Sequence, residues 1–306
     1  YRDGTGRPEV HPGWIPPGFV AIDLANALKL KLYDPDRITV REGKSAYKIV
    51  LTDSETPGEG EEERPSSGDG LIGGDGLIND QTDAKVIVAA NGGSDLVYLP
   101  DHDSPRLKQI VDFLVRQDYV SGLFVNSRYG EVPGALTLKA VNLEGATQMP
   151  TPDVVINFRS FALDPNNPFM TAVTVCDTTL QEGQGMHGSF NRADTLNNMA
   201  AYGPAFKKRF EDKAPVGNTD VALTVATILK LDIPQKGNLV GRVLKEALVD
   251  GPPTVQWTVT KKSSAAADNG KQTVVRLQKL GDTPYFDAAG FPGWSVGMEE
   301  EEERGK

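Results

Sequence analysis

Residues 85–126 read KVIVAANGGSDLVYLPDHDSPRLKQIVDFLVRQDYVSGLFVN. They begin with a continuous apolar run at 85–90, which is typical of a central strand that is buried on both faces. A helix is predicted to begin at Ser104 and Pro105, because serine is a favourable cap and proline fits the first helical position. The next strand is predicted at 120–126. A strand, a helix and a strand in this order predict a right-handed crossover in a parallel or mixed sheet.

Segments with the same alternation of strand and helix patterns flank this stretch on both sides. Further strands are predicted at residues 38–41, 47–52, 95–99, 154–158, 171–175, 255–260 and 273–280. Further helices are predicted at residues 18–30, 221–229 and 240–248. Strands interleaved with helices indicate an α/β fold class.

Composition limits the class of protein. The chain has 306 residues, of which 39% are hydrophobic and 24% charged, as in a soluble globular protein. No apolar run approaches the roughly 18 residues of a membrane helix, so no membrane span is expected. The net charge of −10 disfavours binding to a nucleic-acid duplex. The single cysteine, Cys176, excludes an intrachain disulfide framework and a zinc site with several cysteines, and its strand-like surroundings predict a buried, inert thiol.

The domain organisation follows from shifts in composition. Residues 1–17 are rich in glycine and proline and are expected to be an extended approach segment. Residues 18–293 are expected to form the main domain. Within it, residues 54–83 are rich in Glu, Gly, Ser and Pro and are predicted to be a mobile insertion. Residues 294–306 contain five consecutive glutamates and are predicted to be a solvated acidic tail.

The strongest candidate for chemistry is a glycine loop at residues 183–190, GQGMHGSF. Its histidine, His187, lies in a segment too glycine-rich for the interior of a helix or a central strand. A neutral imidazole on a loop at the end of a strand is a common zinc ligand, and Gly185 and Gly188 allow close approach of the backbone. The alternative is a histidine that only caps a turn. No His-x-x-x-His or Asp-x-x-x-His pattern occurs in the chain to supply further ligands.

Two acidic motifs are weaker candidates. Asp101 and His102 form a local pair that suits zinc, but an acidic turn before the predicted helix explains them more simply. Asp177, Thr178 and Thr179 suggest a threonine nucleophile, which needs a metal or an adjacent base for activation. No base is assignable, so a structural turn is the preferred interpretation.

Two further motifs could bind phosphate. The turn at residues 91–95, Asn-Gly-Gly-Ser-Asp, follows a buried strand but lacks the lysine and the spacing of a P-loop. The basic run at Lys207, Lys208 and Arg209 is expected to be a solvated surface, with attraction for phosphate as the minor alternative.

Several of these segments together resemble a known family. The segments are MHGS at 186–189, MAAYGPAFK at 199–207, PVGNTDV at 215–221 and GRVLKEAL at 241–248. They resemble the C-terminal part of the alkaline phosphatase superfamily, and most closely its type I phosphodiesterase/nucleotide pyrophosphatase branch. Similar segments, AIDLA, LYDP and VAANGGSD, extend the resemblance from about residue 17 to residue 293.

The resemblance implies a fold and a chemistry. The family's fold is a mixed, mostly parallel sheet flanked by helices, and its members transfer phosphoryl groups at two zinc ions with a threonine or serine nucleophile. By motif match, His187 would be the last histidine ligand of one zinc. The implied substrate is a phosphate ester or nucleotide, and the implied location is periplasmic or extracellular.

The chain also departs from the family pattern. The family's nucleophile, its Asp-x-x-x-His pair and its Asp-His-Gly motif precede the matched segments, and Asp101-His102 lacks the glycine of that motif. The chain opens on Tyr1 without a methionine, and its N-terminus is expected to be processed or incomplete. We therefore expect the C-terminal portion of a zinc-dependent phosphoric ester hydrolase, with no catalytic residue of its own, that is completed by the N-terminal half of the same fold. The alternatives are a truncated, non-catalytic paralogue with a structural or binding role, and a resemblance of fold alone with an unrelated function.

Overall fold

A computed structural model gives the structure of the protein. It describes residues 15–50, 64–79, 82–146, 148–164, 166–170, 172–180, 184–234 and 240–299. The α-helices are α1 (Phe19–Leu28), α2 (Ser104–Leu114), α3 (Arg192–Thr195) and α4 (Asn218–Leu229). The strands are β1 (Leu32–Arg41), β2 (Lys44–Val50), β3 (Gly70–Ile72), β4 (Val86–Ala90), β5 (Ser94–Tyr98), β6 (Val120–Val125), β7 (Ala135–Thr137), β8 (Val154–Phe158), β9 (Ser160–Ala162), β10 (Ala172–Thr174), β11 (Thr258–Ser263), β12 (Val274–Leu280) and β13 (Thr283–Gly290).

The main sheet has eight strands in the described part of the chain. Their order is β2-β1-β3-β4-β5-β8-β6-β7, and every neighbouring pair is antiparallel except β6 and β7. Strands β11, β12 and β13 form a second, antiparallel sheet, and β9 pairs with β10 in a third. The predicted α/β fold with a mostly parallel sheet flanked by helices is therefore wrong. The chain is mostly β, and its main sheet is mixed but mostly antiparallel.

Two features explain why the predicted parallel pairing was wrong: the short connection between β4 and β5, and the position of β8 between β5 and β6. Strands β4 and β5 are joined only by Asn91–Gly93, which is too short for the crossover that parallel neighbours require. Helix α2 does connect two strands that run in the same direction, because β5 and β6 are both antiparallel to β8. Strand β8 lies between them, however, and comes from later in the chain. The order strand, helix, strand was predicted correctly, but the direct parallel pairing was not.

The two faces of the main sheet are covered differently. Alternate side chains of β8 point to opposite faces, as expected for a strand. Val154, Ile156 and Phe158 pack in the cluster that contains α1 and α2. Val155 packs on the other face, in the cluster that contains residues of β12 and β13. The main sheet is thus a middle layer between two helices and a small antiparallel sheet.

The N-cap of helix α2 lies one residue earlier in the chain than predicted. Asp103 is the N-cap, and its Oδ1 accepts a hydrogen bond from the backbone N–H of Arg106 at 2.7 Å. Ser104 and Pro105 occupy the first helical turn instead. The buried stripe has the predicted helical spacing and consists of Leu107, Ile110, Val111 and Leu114.

The predicted helix at residues 240–248 is reduced to one short 3₁₀ turn, Lys245–Ala247. Its backbone N–H groups are used elsewhere. The N–H of Arg242 donates to Asp220 Oδ1 at 2.8 Å, and that of Leu244 donates to Thr224 Oγ1 at 3.0 Å. Since these donors bind side chains of α4, they are not available to an α-helical ladder.

The predicted domain boundaries meet the structure only in part. Residues 1–14, 51–63, 80–81 and 300–306 lie outside the described residues. Within the predicted insertion, β3 pairs with β1 and β4, so this part of the segment belongs to the main sheet. Within the predicted tail, Ser295, Val296 and Met298 are buried. No helix in the described part of the chain is long and apolar enough to cross a membrane.

Candidate functional site

The glycine loop with His187 rests on the turn between β4 and β5. The backbone N–H of Gly93 donates to the carbonyl oxygen of His187 at 3.3 Å. The segment that leads into the loop is fixed to the same turn, because the N–H of Asp177 donates to the carbonyl of Gly92 at 3.0 Å. Met186 lies against Gly92 as well. The backbone around His187 is thus held by a turn that is distant in sequence.

Two glycines make this close contact possible. A Cβ at Gly93 would lie 2.7 Å from the backbone nitrogen of Ser189 and 3.0 Å from the carbonyl oxygen of His187. Gly188 has a φ of +96°, a conformation that L side chains rarely adopt. The turn and the loop therefore require glycine at these positions in order to meet.

The residues after His187 are anchored by side-chain and backbone hydrogen bonds. The N–H and the hydroxyl of Ser189 donate to Asp194 Oδ2 at 2.9 and 2.7 Å. The N–H of Phe190 donates to Asn157 Oδ1 at 3.0 Å, and its ring stacks on Phe124 with 4.8 Å between centroids. Since Asn157 and Phe124 belong to the main sheet, the loop is tied to the core directly after the histidine.

The His187 side chain itself is exposed. Among the described residues, nothing forms a hydrogen bond with its imidazole. The described part of the chain also holds no group of three or more His, Cys, Asp or Glu side chains placed to bind a metal ion. The structure thus presents one accessible imidazole on an anchored backbone, which is one potential ligand of a metal site.

Two buried carboxyl groups lie beneath the same turn. Asp177 Oδ1 accepts a hydrogen bond from the N–H of Gly18 at 2.7 Å, at the N-terminus of α1. Asp95 Oδ1 accepts one from the N–H of Asn91 at 3.2 Å. Both side chains are almost completely buried, and Oδ2 of each has no hydrogen-bond partner among the described residues.

Burial is the main reason why both groups resist ionisation. It raises the pKa of Asp177 to about 7. It raises the pKa of Asp95 well above the ordinary value, and the negative charge of Asp177 adds to this effect. Nearby Asp69, whose Oδ1 accepts from the N–H of Ala90 at 2.8 Å, also has a pKa raised by burial. In the sequence, Asp95 was considered only as the last residue of the candidate phosphate turn, and its burial beside Asp177 and Asp69 was not predicted; the sequence signal for it is an aspartate inside the mostly apolar strand β5.

Asp101 and His102 lie in the turn before α2, at a different place in the fold. Asp101 forms an ion pair with Arg106, with 2.7 Å between Oδ1 and Nη1. His102 Nδ1 lies 3.2 Å from Oδ1 of the buried Asp153, and half of the His102 side chain is exposed. Asp153 also accepts from the hydroxyl of Tyr129 at 2.7 Å and from the N–H of Leu99 at 2.7 Å. This cluster joins the ends of β5, β6 and β8.

The threonines after Asp177 are part of a turn. Thr178 Oγ1 accepts a hydrogen bond from the N–H of Leu180 at 3.2 Å. Cys176, just before them, is partly exposed, and its thiol donates to the carbonyl of Thr174 at 3.3 Å. Burial raises the pKa of this thiol to about 12, so it is a poor nucleophile near neutral pH.

The two motifs considered for phosphate have separate positions. Residues 91–93 form the turn beneath the His187 loop. In the basic run, Lys207 Nζ donates to the carbonyl oxygens of Glu246 and Pro252, at 2.8 and 2.6 Å. Lys208 and Arg209 are exposed.

Comparison of the chain with family models, curated proteins and solved structures finds no match.

Proposed function

We propose that the chain is the C-terminal portion of a zinc-dependent phosphoric ester hydrolase of the alkaline phosphatase superfamily, with His187 as a ligand of one zinc ion. The nucleophile and the other metal ligands would come from the N-terminal half of the same fold. The proposed substrate is a phosphate ester or nucleotide, and the proposed location is periplasmic or extracellular. These last two points rest on the sequence resemblance alone.

One observation carries the proposal. In the segment that matches the family motif, the imidazole of His187 is exposed and has no hydrogen-bond partner among the described residues, while the backbone on both sides is fixed. A histidine that caps a turn would use its ring for a hydrogen bond within the loop. A free ring on an anchored backbone suits a ligand that is completed by groups from elsewhere.

The described residues fit a zinc ion only in part. A zinc site needs three or four protein ligands, and this part of the chain supplies one imidazole. We therefore derive no reaction step from this structure. The mostly parallel sheet that the resemblance implied is not part of this proposal, because the main sheet of this chain is mostly antiparallel.

An exposed apolar surface supports the proposed completion by another part of the fold. Val221, Val225 and Leu229 occupy positions i, i+4 and i+8 of α4 and are all exposed, which is unusual for an apolar stripe on a helix. Leu231 and Ile233 extend this surface. The second candidate, a non-catalytic paralogue with a binding role, is favoured by the same surface.

Zinc content and hydrolysis of bis-p-nitrophenyl phosphate, measured on the protein joined to its N-terminal half, test the proposal. His187→Ala should lower the zinc content by about one ion per chain and reduce hydrolysis by at least about 100-fold. His102→Ala is the matched control, because His102 is the other described histidine and its ring is already held by Asp153.

Normal zinc content in the His187→Ala protein would remove His187 from the site. If the joined protein neither contains zinc nor hydrolyses bis-p-nitrophenyl phosphate, the proposed hydrolase function is overturned and the binding role is favoured. Equal losses in the two histidine variants would indicate a general effect on folding rather than on a metal site.

A further inference from the structure

A cleft of about 900 Å³ opens beside the His187 loop. One side is lined by the β9–β10 hairpin and its connection, and the other by the glycine loop and α3. Met186 and Ser189, which flank His187 closely, both line it. The His187 loop therefore forms one edge of this cleft, although His187 itself is not part of the lining.

The walls of the cleft are mostly apolar. Phe161 and Phe169 contribute aromatic rings. Leu163 is 68% exposed and Met170 is 85% exposed, so large apolar side chains face the solvent at the opening. Clustered apolar side chains around a concave surface are typical of small-molecule sites.

The polar groups that line the cleft are bonded to one another. Asn191 Nδ2 donates to Thr174 Oγ1 at 2.9 Å and to Ser189 Oγ at 2.6 Å. The hydroxyl of Ser189 donates to Asp194, and that of Thr178 accepts from Leu180. A ligand thus meets few free hydrogen-bonding groups, and apolar contact would dominate its binding.

The electrostatic environment of the cleft is negative. The carboxylate of Asp194 is part of the lining. After burial, the charge of Asp194 is the largest cause of the raised pKa of Cys176, which also lines the cleft. Two cations lie over aromatic rings of the lining but are not part of it: Arg192 lies over Phe169 and is paired with Asp287 at 2.5 Å, and Arg159 lies over Phe161 at 4.9 Å from the ring centroid. An anionic group inside the cleft would thus meet the carboxylate of Asp194 and no cationic group of the lining.

We propose that this cleft binds the uncharged, apolar alcohol portion of the substrate, an aryl or bulky alkyl group, while the phosphate lies at His187. The inference rests on the proposed hydrolase function and adds a substrate class to it. An alcohol that carries further phosphate or carboxylate groups would be excluded by the negative lining and the lack of donors.

Titration of this chain with 1-naphthol, followed by naphthol fluorescence in zinc-free buffer, tests the site without hydrolysis. We expect one naphthol per chain with a Kd on the order of 0.1 mM. Naphthalene-1-sulfonate, which has a similar shape and a negative charge, should bind at least about tenfold more weakly. This comparison needs no variant, so it does not depend on the folding of a mutant.

Met170→Glu should weaken naphthol binding about tenfold, because it places a charge on the apolar wall. Met149→Glu is the matched control, since Met149 is also exposed, at 74%, and does not line the cleft. In the joined protein, Met170→Glu should raise KM for a naphthyl phosphate ester more than for the methyl ester.

Equal binding of the sulfonate and the naphthol, or equal binding by the two methionine variants, would overturn this inference. Absence of naphthol binding together with zinc loss in His187→Ala would overturn the proposed alcohol site in the cleft but leave the proposed hydrolase function standing. Naphthol binding with normal zinc in His187→Ala would reject the hydrolase and leave an apolar-ligand site.

Discussion

Asp95 and Asp177, 82 positions apart in the sequence, are both buried beneath the His187 loop, and the negative charge of Asp177 raises the pKa of Asp95. Oδ1 of each accepts a backbone N–H, from Asn91 and Gly18 respectively. Oδ2 of each is buried and has no hydrogen-bond partner among the described residues. Because burial and like charge disfavour ionisation, the folded pair binds protons that the unfolded chain releases near neutral pH.

Stability should therefore fall as the pH rises. The pKa of Asp177 is raised from 3.8 to about 7, and that of Asp95 is also raised well above 3.8, so the folded protein binds more protons than the unfolded chain between about pH 4 and 7. The contribution is fully present below about pH 4 and is lost as the pH rises through about 7. Each extra proton lowers the free energy of unfolding by about 1.4 kcal/mol per pH unit in this window.

Asp95→Asn should flatten this dependence, because it removes one of the two buried groups whose pKa is raised. Urea unfolding at several pH values between about 5 and 8 measures the effect. The control is Asp112→Asn, which removes an exposed carboxylate from α2. Parallel pH profiles for wild type and Asp95→Asn would contradict the raised pKa of Asp95.

The contact between Gly93 and the loop gives a second prediction. Gly93→Ala should destabilise the protein by about 1–3 kcal/mol, since the new Cβ would lie 2.7 Å from the Ser189 nitrogen. It should also shift the NMR signal of His187, because the carbonyl oxygen of His187 loses its hydrogen bond from the N–H of residue 93. Gly145→Ala is the control, as no atom lies within 4 Å of a Cβ there. An unchanged His187 signal would mean that the turn does not position the loop.

The sequence allowed the local elements to be predicted better than their pairing. Helix α2 and strand β8 were found because apolar periodicity is a local property. The insertion of β8 between β5 and β6 depends on contacts between distant segments, which periodicity does not contain. His187 was proposed as a candidate ligand from its glycine-rich surroundings, and that role stays a prediction, whereas no local pattern around Asp95 reveals a second buried carboxyl group 82 positions away.

The Asp153 cluster gives a third prediction. Tyr129→Phe should cost about 1–2 kcal/mol, because it removes a 2.7 Å hydrogen bond to a buried carboxylate. Burial and the charge of Asp153 raise the pKa of Tyr129, so its hydroxyl stays protonated and the loss should be the same from about pH 6 to 9. Tyr202→Phe is the control, since Tyr202 is fully exposed. A loss that disappears within this range would show that the hydroxyl is not the donor.

Neighbouring substitutions on the two faces of α4 should affect the free energy of unfolding to different extents. Thr224→Val keeps the shape of a buried side chain but removes the acceptor for the N–H of Leu244, so we expect a loss of about 1–3 kcal/mol. Val225→Thr makes the reverse change on the exposed apolar stripe and should alter the free energy of unfolding by less than about 0.5 kcal/mol. Urea unfolding of this chain compares the two variants directly. A larger loss for Val225→Thr than for Thr224→Val would mean that the apolar stripe is already covered in solution.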